Sequence, residues 1–124
     1  MRIPRLLICL LGLGLGTLLF TSPYAAWSQA PGKPSIYEFG SKVCPYCREM
    51  ARILKDVESQ YPGQVSVRSY YIETDERLFE EYRVSIRPTL VFVDLSGQEV
   101  YRHEGLLPKE QLVKKLKELE FIRD

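Results

Sequence analysis

Ser35-Ile36-Tyr37-Glu38-Phe39-Gly40-Ser41-Lys42-Val43-Cys44-Pro45-Tyr46-Cys47 is the stretch on which the reading of this chain turns. Its first six residues form a short β-prone run closed by glycine, hence a strand. Beyond Cys44-Pro45 the apolar residues Met50, Ala51, Leu54 and Val57 recur at helical spacing, with Arg48, Arg52, Lys55 and Asp56 between them. Pro62-Gly63 stops that helix. The two cysteines therefore fall where a strand hands over to a helix.

Outward from this unit, Gln64 to Ile72 is rich in Val and Tyr and reads as a second strand. Thr74-Asp75 offers an N-cap to a short helix whose apolar face is Leu78, Phe79 and Tyr82. Pro88 precedes Thr89-Leu90-Val91-Phe92-Val93, a nearly continuous apolar run expected of a central strand covered on both faces. Ser96-Gly97 turns into Glu99–His103, the second arm of a hairpin that Gly105 ends. Pro108 opens a last helix with Leu112, Val113, Leu116 and Leu119 on its apolar side. The order β-α-β-α-β-β-α predicts an α/β domain, a four-stranded mixed sheet flanked by helices, over residues 35–124.

The N-terminus differs in composition. Arg2 and Arg5 precede an uncharged run from Leu6 to Phe20, then the small, turn-prone segment Thr21 to Ala26, the order of a secretory signal. As a helix that run would reach roughly 22 Å, against about 30 Å of hydrocarbon in a bilayer. Length favours a signal peptide over residues 1–28, cleaved before Gln29; an uncleaved membrane anchor is the alternative. Residues 29–34 read as a linker. Either reading predicts a periplasmic or secreted domain. Setting aside Arg2 and Arg5, the only charges of residues 1–28, leaves 15 bases against 16 acids. No basic stripe marks a nucleic-acid partner.

Cys9 lies inside the apolar run and reads as a small hydrophobe, so Cys44 and Cys47 are the thiols of the mature chain. Two cysteines three apart close too small a loop to restrain the unfolded chain much, which makes them a poor staple. Disulfide exchange needs one thiolate to attack and a second thiol close enough to resolve the mixed disulfide. At a helix start, with Pro45 in the first helical position, unpaired N–H groups favour negative charge on Cys44, the expected nucleophile. Cys47, one turn in, is the expected resolving thiol. A zinc site would need two more Cys or His ligands, and His103 is the only histidine.

Residues from about Ser35 to Leu119 resemble the thioredoxin superfamily. The resemblance rests on Glu38-Phe39 ahead of the cysteines, on Cys44-Pro45-Tyr46-Cys47, on Ile86-Arg87-Pro88-Thr89, and on the Phe92–Gly97 hairpin. It implies a thioredoxin fold and a thiol:disulfide oxidoreductase using a redox-active Cys44–Cys47 disulfide and no bound cofactor or metal. It implies a cis-Pro88 opposite the cysteines, with Pro45, Tyr46, Arg87, Pro88 and Thr89 forming the substrate-binding rim. Glu38 corresponds to the buried acid beneath the resolving cysteine, a proton carrier if its pKa is raised. The expected partners are protein dithiol or disulfide substrates and a membrane or periplasmic redox recycling partner, with the chain a monomer.

The chain departs from the family pattern in places. Val43 replaces the Trp that usually precedes the first cysteine, Ser69 replaces the lysine that commonly faces the buried acid, and no glutathione-binding signature accompanies Pro45-Tyr46. Arg87 is an unusual neighbour for the cis-proline; it is either a cation that favours the Cys44 thiolate, with Lys42 assisting, or a solvated charge. His103 and the final helix's charged residues read as surface, and Tyr70-Tyr71 as strand packing. Two other functions fit the same residues: a non-catalytic peptide-binding or chaperone module, and a copper or zinc carrier using the two cysteines.

Overall fold

A computed structural model describes residues 32–124. The signal or anchor reading of residues 1–28, the first half of the linker and Cys9 lie outside the described residues. The elements are β1 (Ser35–Gly40), α1 (Pro45–Gln60), β2 (Ser66–Tyr71), α2 (Ile72–Glu81), β3 (Thr89–Val93), β4 (Glu99–Glu104) and α3 (Lys109–Glu118). They build one four-stranded sheet in the order β2-β1-β3-β4. β1 runs parallel to β2 and antiparallel to β3, and β3 is antiparallel to β4. The mixed α/β fold expected from the sequence is the one observed. Among the described residues no helix is long and apolar enough to cross a membrane.

Side-chain alternation along β1 divides the core in two. Ile36 joins Leu90 and Phe92 against Met50, Leu54 and Val57 of α1 and Leu112 and Leu116 of α3. Phe39 points the other way, packing with Val91, Val93 and Phe79 of α2. Tyr37, Tyr70 and Tyr82 close that second layer through ring contacts centred 5.2 to 6.0 Å apart. All five residues of β3 are buried, as a strand covered on both faces requires. Glu38 shares the face of Ile36, so its carboxylate is carried under α1.

Two boundaries differ from the sequence reading. β2 begins at Ser66 rather than Gln64 and stops at Tyr71. α2 starts at Ile72, ahead of Thr74-Asp75, with Tyr71 at its cap and no side-chain capping bond. Asp75 interrupts the helix at φ −123°, ψ 29°, and its carboxylate turns back to accept the Tyr71 N–H at 2.9 Å. One early turn is thereby spent next to the end of the sheet. On the α3 side, the buried Met50 sulfur accepts the Leu107 N–H at 3.4 Å, and Gly105 N–H donates to the Pro88 carbonyl at 2.7 Å.

Leu54 is fully buried between the sheet and α3. Leu54→Ala is expected to lower the unfolding free energy by about 2–5 kcal/mol, read as a lower urea midpoint with an unchanged slope.

Candidate active site

Cys44 caps α1. Its backbone is extended (φ −93°, ψ 116°), Pro45 occupies the first helical turn, and the Cys47 N–H donates to Cys44 Sγ at 3.2 Å. Proline fits there because that position has no helical acceptor for an N–H. A free amide of the helix start is thus aimed at the Cys44 sulfur, a placement that favours an anion. Cys44 is partly exposed, whereas Cys47 is only 3% exposed, and both are free thiols. Burial pushes the Cys47 thiol up to about 12, helped by its contact with Cys44 and opposed by the Ser41 backbone N–H. The two sulfurs are therefore unequal in access.

Beneath Cys47 lies Glu38, 2% exposed, whose carboxylate accepts the Ser69 hydroxyl at 2.8 Å. Burial raises its pKa above the ordinary carboxylate value, and the Ser69 bond offsets part of that rise. Gly40 is the meeting point of these groups. A Cβ at residue 40 would stand 3.2 Å from Cys47 Cβ, 3.4 Å from Cys47 Sγ and 4.0 Å from Glu38 Oε1. Glycine lets the end of β1 lie this close under the resolving thiol without displacing it.

The loop from Gly40 to Cys44 is held from several sides. The Ser41 hydroxyl donates to Glu73 on the first turn of α2 and accepts the Val43 N–H at 3.3 Å. The Lys42 N–H donates to the same carboxylate at 3.1 Å, and the Ser41 carbonyl accepts the Cys44 N–H at 3.3 Å. The Ser41 hydroxyl, foremost among these bonds, lowers the Glu73 pKa. Gly40, Ser41 and Glu73 were absent from the sequence-based set of site residues. Glycine at the strand end was visible there, but its pairing with Cys47 depends on how α1 crosses the sheet.

The remaining residues singled out from sequence divide around this centre. Val43 and Tyr46 are exposed beside Cys44, and Ile86 is exposed in the loop that leads to β3. The Arg87–Pro88 peptide is cis, Arg87 is exposed and Pro88 is buried. Thr89 is buried and donates its hydroxyl to the Ile86 carbonyl at 2.6 Å, fixing that loop. His103 lies on β4 with Nε2 3.4 Å from the Leu106 carbonyl. Among the described residues, no group of three or more His, Cys, Asp or Glu is placed to hold a metal ion.

This is a dithiol site at a helix start, set over the end of a mixed sheet and faced by a cis-proline loop. A family model described as a thioredoxin-like domain matches residues 25–120, and the chain belongs to that family. It is similar to the thioredoxin-like protein HCF164, chloroplastic, of Arabidopsis thaliana, with 31% identity over 71% of this chain and 34% of that protein. It is 35% identical to the thioredoxin-like protein slr0233 of Synechocystis, over 68% of this chain and 79% of that one. The matched region spans about a third of the HCF164 proteins of Arabidopsis and rice. Among solved structures, chloroplastic thioredoxin z superposes with a TM-score of 0.65 at 26% identity, covering 71% of this chain and 79% of that one.

A raised Glu38 pKa means that the native protein holds this proton more tightly than the unfolded chain does. Stability from this group is complete below the unfolded pKa and is lost as pH rises through the native one. Glu38→Gln is therefore expected to gain stability relative to the parent as pH rises above the ordinary glutamate pKa of about 4.3. Urea unfolding at a series of pH values reads this directly; a gap that does not change with pH would mean that Glu38 titrates as a solvated acid.

Proposed function

We propose that this chain is a thiol–disulfide oxidoreductase that exchanges disulfides with protein substrates outside the cytoplasm. The observation that carries the reading is the inequality of the two thiols: Cys44 caps α1 with an amide directed at its sulfur, while Cys47 is buried over a carboxylate. Membership of the thioredoxin-like family supports the same chemistry. The composition of residues 1–28 supports the location.

In the reducing direction, the Cys44 thiolate attacks one sulfur of a substrate disulfide. That S–S bond breaks, a mixed disulfide forms, and the first substrate thiolate leaves. Cys47 then loses its proton to the Glu38 carboxylate and attacks Cys44 Sγ. The mixed disulfide breaks, the second substrate thiolate leaves, and Cys44–Cys47 is oxidised by two electrons. A burial-raised carboxylate suits this transfer, because its affinity for a proton is closer to that of a thiol than an exposed acid's is. Run backwards, the same steps oxidise a dithiol. Tyr46, Arg87 and Pro88 form the rim along which an extended substrate lies, with Thr89 holding the proline loop from within and Pro45 setting the helix start. A redox partner returns the pair to its starting state, and the dithiol itself is the only redox group required.

Cys44→Ser is expected to abolish reduction of insulin or a model disulfide. Cys47→Ser should instead trap a covalent complex with substrate, visible as a mass that thiol reductant removes. Turnover surviving in Cys44→Ser would overturn the reading. The potential of the pair in a glutathione buffer fixes direction, with about −270 mV marking a reductant and about −120 mV an oxidant.

A further inference from the structure

A cleft of about 280 Å³ opens beside the resolving cysteine, lined by Ser41, Lys42, Cys47, Arg48, Ala51 and Tyr71. Its position follows from the sheet. Tyr70 on β2 and Thr89 on β3 are both in register with Phe39 on β1, so the two neighbours flank the end of β1 on opposite sides. Tyr71 continues β2 on one side and Pro88 precedes β3 on the other. The cleft therefore lies across the cysteine pair from the cis-proline loop, at the far end of any substrate strand that crosses Cys44.

Its chemistry is cationic. Lys42 and Arg48 are both exposed, and neither belongs to the ion pairs formed among the described residues. Lys42 Nζ sits 5.9 Å from the centre of the Tyr71 ring. Glu73 is the neighbouring acid, and its carboxylate is occupied by the Ser41 hydroxyl and the Lys42 N–H; the Lys42 cation acts on it from beyond ion-pair distance. Beyond residue 28, acids outnumber bases by one, so this positive edge is local and does not reflect a basic protein. A guanidinium presents a planar fork matched to a carboxylate, and the Tyr71 ring with Ala51 offers apolar surface to the methylenes that carry one.

We propose that the cleft is an acidic subsite that seats an Asp or Glu side chain flanking the target disulfide of a protein substrate. The proposal rests on the oxidoreductase reading. Reach is adequate: an extended chain advances about 3.3 Å per residue, and Cys44 Sγ is 3.2 Å from the backbone nitrogen of Cys47, a wall of the cleft. The proposal puts a residue one or two positions from the substrate cysteine bound to Cys44 at the mouth of this cleft. The side facing Pro88 would fix the backbone, and this side would select charge.

The test compares three peptides that share one disulfide and differ only in Glu, Gln or Lys at the two positions flanking the attacked cysteine. The Glu peptide should be reduced about ten-fold faster than the Lys peptide at ~0.01 M salt, narrowing to within about two-fold at ~1 M, as the screening length shrinks from about 30 to about 3 Å. The double variant Lys42→Glu, Arg48→Glu should invert the order. The Glu-to-Lys ratio is the deciding readout, because the same Cys44 sulfur attacks both peptides and any change in its reactivity cancels. A wild-type ratio near one, or a ratio unmoved by charge reversal, overturns the subsite while the Gln peptide is still reduced. Charge dependence confined to dithiobis(nitrobenzoate), a small anionic disulfide, and absent from the peptides also overturns it. If the wild type neither reduces the Gln peptide nor oxidises its dithiol form, the oxidoreductase reading falls and the subsite with it.

Discussion

Cys47 rests on the end of β1 with no side chain at residue 40 between them, and most of the site's geometry descends from that contact. A Cβ at Gly40 would stand 3.2 Å from Cys47 Cβ, a contact that would push the cysteine back by a few tenths of an ångström. With the first turn of α1 pressed onto the strand, Cys47 is sealed from water and Cys44, one turn earlier, is left at the helix edge. The same approach brings Glu38 under the pair, since Ile36, Glu38 and Gly40 lie on one face of β1. One missing side chain thus links an exposed sulfur, a buried sulfur and a buried acid.

Ser41 performs a second task that packing alone would leave undone. Its hydroxyl and carbonyl engage Glu73 and Cys44 respectively, with the Val43 N–H added at the hydroxyl. Loops that carry reactive groups need such restraint, because a small misplacement of a nucleophile costs much of its rate. Glu73 gains its position from the break at Asp75, which lets a single turn of α2 sit beside the sheet end before the helix proper continues. The irregularity of α2 and the order of the cysteine loop are therefore parts of one arrangement.

Much of this architecture was legible in the sequence, and the parts that were not share a physical cause. β1 and β3 carry strong local signals, a glycine-closed β run and an unbroken apolar one, and both occupy the residues expected. The α1 start was fixed by Cys44-Pro45 and its face by Met50, Leu54 and Val57. β2 and α2 were less well bounded, because Tyr71-Ile72 suits either a strand or a cap and tertiary contacts decide between them. Glu38 could be placed inward by alternation. The Ser41–Glu73 bond could not, since 32 residues separate its partners and no periodicity connects them.

Met50 shows how a position can demand more than shape. It is wholly buried in the layer between the sheet and α3, where Leu and Met usually exchange with little penalty. Here the thioether also receives the main-chain hydrogen of Leu107, within the segment whose Gly105 is tied to the Pro88 carbonyl. A hydrocarbon replacement would strand that amide in an apolar interior and slacken the tether behind the proline loop. The interior of this domain therefore distinguishes between two side chains of nearly equal bulk by the lone pairs on a single sulfur atom.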